Sequence, residues 1–321
     1  MSLPLINGLH HVTAMARDPQ ENVNFYAGIL GLRLVKKTIN FDAPDVYHLY
    51  YGDENGRPGS IMTFFPWQHM KRGSQGIGQT KATTFSIPSQ AVDYWIKRLQ
   101  HFEIPHQSPK QRFGQTVISL QDFDSLPLEL ITDDEDQRAP FSYGQIPLEY
   151  AIRGFHSVEL METEYEATES VLVNLLDHEF VAEEGSRRRY APKNVQNGQF
   201  VDIIFDANSG RARGGSGTVH HVAFETASDE DQLAVRERLL RGGLSPTQVL
   251  DRQYFHSIYF REPGGVLFEV ATTPPGFTFD EKLEDLGQGL KLPPWMEQRR
   301  EYLEKLLAPI ELNPMQFASK H

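Results

Sequence analysis

GLHHVTAMARDPQENVNFYAGILG, residues 8–31, holds a His-His pair that returns in GTVHHVAFE, residues 217–225, in nearly the same apolar frame. In the first copy Leu9, His11 and Thr13 alternate with His10, Val12 and Ala14, the period-two pattern of a strand. A helix start follows at Asp18-Pro19-Gln20-Glu21, with an acidic N-cap, proline at the first helical position and glutamate at the capping-box position. The helix carries Val23, Phe25, Tyr26, Ile29 and Leu30 and stops at Gly31. Three strand-like runs come next: RLVKKTIN (33–40), VYHLYYGD (46–53) and, after the turn at Pro58-Gly59, SIMTFFP (60–66). The end of the chain repeats this order. GTVHHVAFE leads to a cap at Ser228 with Asp231 three residues on, then to a helix through Leu233, Val235, Leu239 and Leu240 that ends at Gly242-Gly243. Strands QVLDRQ (248–253), FHSIYFRE (255–262) and, after Pro263-Gly264-Gly265, VLFEVAT (266–272) complete the copy.

Two weaker copies lie between. TKATTFSIPS (80–89) and the helical QAVDYWIKRLQ (90–100) precede the strands QTVISLQD and LPLELIT. AIRGFHSVEL (151–160) and the helical ATESVLVNLLD (167–177) precede FVAEEG, RRRYAP and FVDIIFD. The chain therefore reads as an α+β protein of four βαβββ units, near 5–66, 79–132, 151–206 and 217–273, forming two barrel-like halves. One such unit cannot bury both its faces, so units must pair. In chain order the units group as 5–134 and 151–274, joined by DDEDQRAPFSYGQIP (133–147), and 275–321 is a C-terminal tail. That tail contains an amphipathic helix within PPWMEQRREYLEKLLAPI, with Trp295, Tyr302, Leu303 and Leu306 expected to pack on the body.

Composition narrows the chemistry. A length of 321 residues suits about two domains. A formal net charge of −12 disfavours nucleic acid, whose phosphates need clustered Lys and Arg. No apolar run approaches a membrane span, and residues 1–7 lack the features of a signal peptide, so the chain reads as cytoplasmic. With no cysteine there is no thiolate nucleophile or zinc-thiolate site, and any metal must be held by His, Asp and Glu.

Comparing the units locates a donor set. His11 corresponds to Thr83, His156 and His221; Glu269 corresponds to Glu129, Asp202 and Phe64. His11, His221 and Glu269 make two imidazoles and one carboxylate, the open facial set of non-heme Fe(II) oxygenases. A lone buried histidine is ordinarily a hydrogen-bonded core residue. Glu269, however, sits among Val266, Leu267, Phe268 and Val270, and a carboxylate buried there needs a cation. Strand alternation admits only one histidine of each pair as ligand and turns its neighbour elsewhere, without settling which is which, so that if His11 and His221 are the ligands His10 and His220 point away. A second set, His156, Glu129 and Asp202, with Thr83 in place of another histidine, reads as a worn copy of the site.

These stretches carry a resemblance. The four-unit organisation resembles the vicinal oxygen chelate superfamily of glyoxalase I, fosfomycin-resistance proteins and extradiol dioxygenases. GLHHVTAMARDPQENVNFYAGILGLRLVKKTINFD, VYHLYYGDENGRPGSIMTFFPW, GFHSVEL, GTVHHVAFE, REPGGVLFEVATTPPGFTFDE and LPPWMEQRR resemble its hydroquinone-type ring-cleaving dioxygenase branch, over nearly the whole chain. The resemblance selects His11 and His221, with Glu269, as ligands of Fe(II), with Mn(II) the alternative. It implies that the first and last units pair in one half and the middle units in the other. It also places residues matching His10, Thr13, His220, Arg252 and Tyr259 around the metal, with Tyr259 or a histidine as proton donor and Arg252 on a substrate oxygen. The partners it implies are a small aromatic substrate and O2; homo-oligomerisation is left open. Two rival readings are a glyoxalase-like isomerase, which would need an acid where Phe64 is expected, and a metal-free drug-binding protein of the same fold.

Overall fold

The computed structural model describes residues 4–193, 199–206 and 208–318. The first unit runs β1 (Leu9–Ala16), α1 (Pro19–Val23), β2 (Arg33–Asn40), β3 (Ala43–Gly52) and β4 (Ile61–Pro66). The second runs β5 (Gln79–Ile87), α2 (Val92–His101), β6 (Lys110–Arg112), β7 (Gln115–Gln121) and β8 (Pro127–Thr132). The third is β9 (Gly154–Glu162), α3 (Glu166–Leu175), β10 (His178–Glu184), β11 (Arg187–Pro192) and β12 (Phe200–Phe205). The fourth is β13 (Thr218–Thr226), α4 (Asp229–Arg241), β14 (Leu250–Asp251), β15 (Phe255–Arg261) and β16 (Leu267–Pro275), and the tail adds α5 (Arg300–Leu306).

Both strong helix starts form as the sequence dictates: Asp18 accepts from the Glu21 amide and Ser228 from the Asp231 amide. Beyond α1 the chain continues as a π-helical turn, Asn24–Ile29, which buries Phe25 and Tyr26.

Two eight-stranded sheets result, ordered β14-β15-β16-β13-β1-β4-β3-β2 and β10-β11-β12-β9-β5-β8-β7-β6. The first joins units one and four through antiparallel β1 and β13; the second joins units two and three through antiparallel β5 and β9. The pairing of first with last unit is as expected, and the sheets cut across the chain-order segments 5–134 and 151–274, each of which lends one unit to each sheet. One face of the first sheet is core: Val12, Ala14, Phe64, Phe224, Phe268 and Val270 are all fully buried. Alternation puts His11, Thr13, Thr63 and Glu269 on the other face.

The tail departs from its expected packing. It forms a 3₁₀ turn at Pro294–Arg299 and then the short α5, and only Leu303 of the four named residues is buried. Trp295, in the 3₁₀ turn, is exposed, and so are Tyr302 and Leu306, because a helix of seven residues presents too narrow a stripe to bury three large side chains. In α4, likewise, Val235 and Leu239 are buried while Leu233 and Leu240 face solvent. Residues 319–321 of the expected tail segment, and 194–198 of the third unit, lie outside the described residues.

Glu162, at the end of β9, is buried, and its Oε1 has no hydrogen-bond partner. Burial, with Glu262 adding like charge, pushes its carboxyl from 4.5 up to about 8. The folded state therefore holds a proton that the unfolded state releases, so this group's effect is to lower stability as pH rises from about 4.5 to about 8. Glu162→Gln is expected to raise the urea midpoint at pH 9 and leave it nearly unchanged at pH 4; equal midpoints at pH 9 would contradict this account.

Candidate metal centre

The expected donor set converges. His11 Nε2 lies 3.1 Å from His221 Nε2 and 3.3 Å from Glu269 Oε2, and His221 Nε2 is 2.9 Å from the same oxygen. Among the described residues this is the one group of three such side chains whose donor atoms meet closely enough to share an ion. All three are buried. Glu269 Oε2 has no hydrogen-bond partner of proper geometry although two imidazole nitrogens stand next to it. Three donor atoms gathered within reach of one shared point are what a divalent ion requires, and two nitrogens plus one carboxylate suit Fe(II) or Mn(II). Burial would raise the Glu269 carboxyl, but His11 and His221 outweigh it and hold the group well below the usual carboxylate range. It stands ionised, as a ligand must.

Why both histidines of each pair reach the site follows from the backbone. In the β1–β13 ladder Leu9 and His11 face the consecutive residues Phe224 and Ala223, so His10 is an extra residue. Thr13 and Ala14 face His221 and Val219, so His220 is extra on the other strand. Each pair is thus a β-bulge, which brings two successive side chains round to one side and overrides strict alternation. The expectation that His10 and His220 point elsewhere fails for this reason. His10 Nδ1 is 2.9 Å from His11 Nδ1, and His220 Nδ1 is 2.8 Å from His221 Nδ1. His10 also bonds the Thr272 backbone, and burial, reinforced by His11, lowers its pKa to about 3, so it is neutral. With the shared proton on His11 Nδ1, donated to His10 Nδ1, the His11 Nε2 lone pair would be left for a metal.

Sequence reasoning missed three further parts. Ser257 Oγ donates a short hydrogen bond to Glu269 Oε1, turning Oε2 toward the imidazoles. The slot matching Glu269 in the first unit holds Thr63, not Phe64: Thr63 pairs with Thr13 just as Glu269 pairs with Ala223, and Thr13 and Ala223 are the equivalent residues of HHVT and HHVA. Phe64 instead faces the core, its ring 4.3 Å from that of Tyr26. A shift of one residue flips a strand side chain to the other face, which is how the correspondence went astray. Third, Thr63 Oγ bonds Thr13 Oγ at 2.9 Å and His48 Nε2 at 2.8 Å, and His48 Nδ1 bonds the Tyr50 hydroxyl at 2.8 Å. The only sequence signal for these was polar side chains placed inside apolar strands.

The second sheet repeats the bulges with different residues. Lys81 and His156 are the extra residues, so His156 matches His10 rather than His11, and Ser157 and Ala82 stand where the ligand histidines would be. Thr83 and His156 are therefore not ligand equivalents. Glu129 does match Glu269, but Arg112 grips it at 2.5 and 2.8 Å, and Arg187 and Arg189 bind Asp202 at 2.8 Å. Guanidinium groups neutralise the acids there, and the set of His156, Glu129 and Asp202 does not converge as ligands.

A cavity of about 350 Å³ opens on the donor set, lined by His11, His48, Tyr50, His220, His221, Arg252 and Tyr259 and by apolar Phe41, Phe65, Trp67, Phe255 and Leu267. Tyr259, opposite Glu269 in the ladder, has its phenol raised above the usual range by burial and by Glu269. Arg252 Nε is 3.3 Å from the Tyr259 hydroxyl, and its Nη1 is 3.2 Å from Asp42.

Comparison with known proteins agrees with this geometry. The model of the Glyoxalase/Bleomycin resistance protein/Dioxygenase superfamily matches residues 8–130 and 155–270. The Bacillus subtilis (strain 168) protein named "Putative ring-cleaving dioxygenase MhqO" is 41% identical over 96% of this chain and 98% of its own length. A chlorohydroquinone/hydroquinone 1,2-dioxygenase of Sphingobium indicum is 37% identical over 92% of this chain and 95% of its own. A crystal structure of a dioxygenase-named protein from Bacillus subtilis subsp. subtilis str. 168 superposes with a TM-score of 0.92 at 41% identity, covering 97% of this chain and 99% of that one. Matched in both halves by the family's model and by relatives along nearly its whole length, the chain belongs to the glyoxalase/bleomycin resistance protein/dioxygenase superfamily.

Proposed function

We propose that the protein is a non-heme iron ring-cleaving dioxygenase that opens hydroquinone-type rings with O2. The observation that carries this reading is a buried facial set of two imidazoles and one carboxylate, onto which an aromatic-lined cavity opens and whose fourth repeat position is a threonine. An isomerase of this fold would want an acid at that position, and a metal-free binder would have no use for the converging donors. The names of two relatives point the same way, one naming a ring-cleaving dioxygenase and the other a chlorohydroquinone/hydroquinone 1,2-dioxygenase.

Bound at His11, His221 and Glu269, Fe(II), or Mn(II), would supply the redox link between an electron-rich ring and dioxygen. The protein's own residues do the rest. Ser257 and the paired histidines His10 and His220 fix the ligands' orientation. Phe41, Phe65, Trp67, Phe255 and Leu267 form an apolar slot for a flat ring and keep water from it. Arg252 offers its guanidinium to a substrate oxygen, and Tyr259, a neutral phenol beside it, donates a proton. Thr13 orders Thr63, keeping a short neutral side chain where a ligand would otherwise close the site.

The proposal includes a small aromatic substrate and O2 as partners and a cytoplasmic location; no helix among the described residues is long and apolar enough to cross a membrane. It takes 5–134 and 151–274 as two vicinal oxygen chelate segments of two units each, with 275–321 as tail.

The test is anaerobic loading with Fe(II), then oxygen-electrode assay with hydroquinones and catechols beside an assay with the hemithioacetal of methylglyoxal and glutathione. Oxygen uptake with a dihydroxybenzene is expected, and turnover of the hemithioacetal without any oxygen uptake would overturn the reading. Tyr259→Phe should lower kcat by about 100-fold or more with metal content unchanged.

A further inference from the structure

The FTFDE run at 277–281 follows the last strand and contributes no ligand, yet it holds two acids around a fully buried lysine. Lys36 Nζ, on β2, lies 2.6 Å from Asp280 Oδ1 and 2.5 Å from Glu281 Oε2, and its ammonium sits 4.9 Å from the centre of the Tyr254 ring. A buried ammonium held by two carboxylates is a fixed point in the fold. The other oxygen of Asp280 turns away from the lysine. Its Oδ2 accepts from the Tyr254 hydroxyl at 2.9 Å and from Gln253 Nε2 at 3.2 Å.

Those two residues are the middle of a tight turn whose ends, Arg252 and Phe255, both line the cavity. Gln253 has φ +67°, a left-handed conformation that non-glycine residues seldom adopt. The amide of Arg252 bonds the carbonyl of Phe255 at 3.0 Å, and the amide of Tyr254 bonds the carbonyl of Arg252 at 2.8 Å. Asp251 Oδ1 accepts from the Gln253 amide at 2.7 Å, and the Gly276 amide donates to the Tyr254 carbonyl at 2.9 Å. Strain of this kind persists only where the surroundings over-determine it. Here the surroundings are largely the tail.

We propose that Asp280, anchored by Lys36, is a positioning residue: it locks the 252–255 turn so that Arg252 meets Tyr259 and Phe255 packs against His10 and His11. The Phe255 ring centre is 5.1 Å from both histidine rings, so the same turn that aims the guanidinium also walls the donor set. The lock acts at a distance from the reacting atoms, through geometry that ring cleavage requires; to that extent it rests on the function proposed above.

Asp280→Ala is the test, because Lys36 keeps Glu281 and the buried charge stays paired. KM for hydroquinone is expected to rise about 10- to 100-fold, as displaced orienting groups typically cost, while metal per chain is unchanged. Asp280→Asn, which keeps shape and one acceptor, should fall between. In an Arg252→Ala background Asp280→Ala should add almost nothing, since the residue it positions is gone; losses that multiply would overturn the proposal. Independently of activity, trypsin should cut after Arg252 faster in Asp280→Ala than in wild type, followed by mass spectrometry. An unchanged rate would overturn the lock even if the iron-loaded wild type proved inactive toward every dihydroxybenzene, an outcome that would sink the proposed reaction alone.

Discussion

His221→Ala is expected to yield a folded protein that has lost its divalent ion. Removing one imidazole leaves a single nitrogen and one carboxylate, His11 and Glu269, which still pair 3.3 Å apart and so keep the buried carboxylate from standing alone. The fall in metal affinity should exceed the roughly 10- to 100-fold typical for loss of an outer-shell partner. Metal analysis after dialysis, with circular dichroism as the check on folding, reads the result, and full retention of metal would remove His221 from the ligand set. His220→Ala makes the informative comparison. It takes away only the imidazole 2.8 Å from His221 Nδ1, so affinity should weaken within that range rather than vanish.

The second large effect separates two neighbouring residues. Thr63→Glu puts a carboxylate on the ligand face, where the repeat has Glu269, and should fold, retain metal and lose oxygen uptake by roughly 100-fold because an open coordination position is filled. Phe64→Glu puts the same group on the opposite face, fully buried against Tyr26 and Tyr51. No cation awaits it there, and burying it should cost at least about 3 kcal/mol, enough to deplete folded protein. Thermal melts of the two variants decide the matter. If Phe64→Glu melted like wild type while Thr63→Glu collapsed, the strand would be facing the other way.

That pair of substitutions also marks where the sequence stopped being legible. The repeat, the helix starts at Asp18 and Ser228, Glu269 and the need for one histidine of each pair could be read, because periodicity, capping and a carboxylate in an apolar strand are local signals; that the histidines are His11 and His221 came from resemblance. The pairing of first and last units came from resemblance rather than from any pattern in the residues. What could not be read was parity. A bulge inserts one residue without changing composition, so nothing in GLHHV announces that His10 turns toward His11, and the correspondences drawn for His156, Thr83 and Phe64 each slipped by one position. Ser257, His48 and Thr63 were hidden for another reason: a hydroxyl or an imidazole in a strand has many uses, and only the partner across the sheet shows which one applies.

The antiparallel seam of β1 and β13 also has a bearing on how the site comes into being. His11 leaves the ribosome 210 residues before His221 and must wait for the fourth unit before its two co-ligands exist to meet it. Contacts between residues so far apart close large loops, the slow step in forming a fold. No nascent fragment that ends before β16 can hold iron with the full donor set. Metal capture is therefore delayed until the last unit has been made, and partly synthesised chains are spared a redox-active ion in an open, half-built pocket.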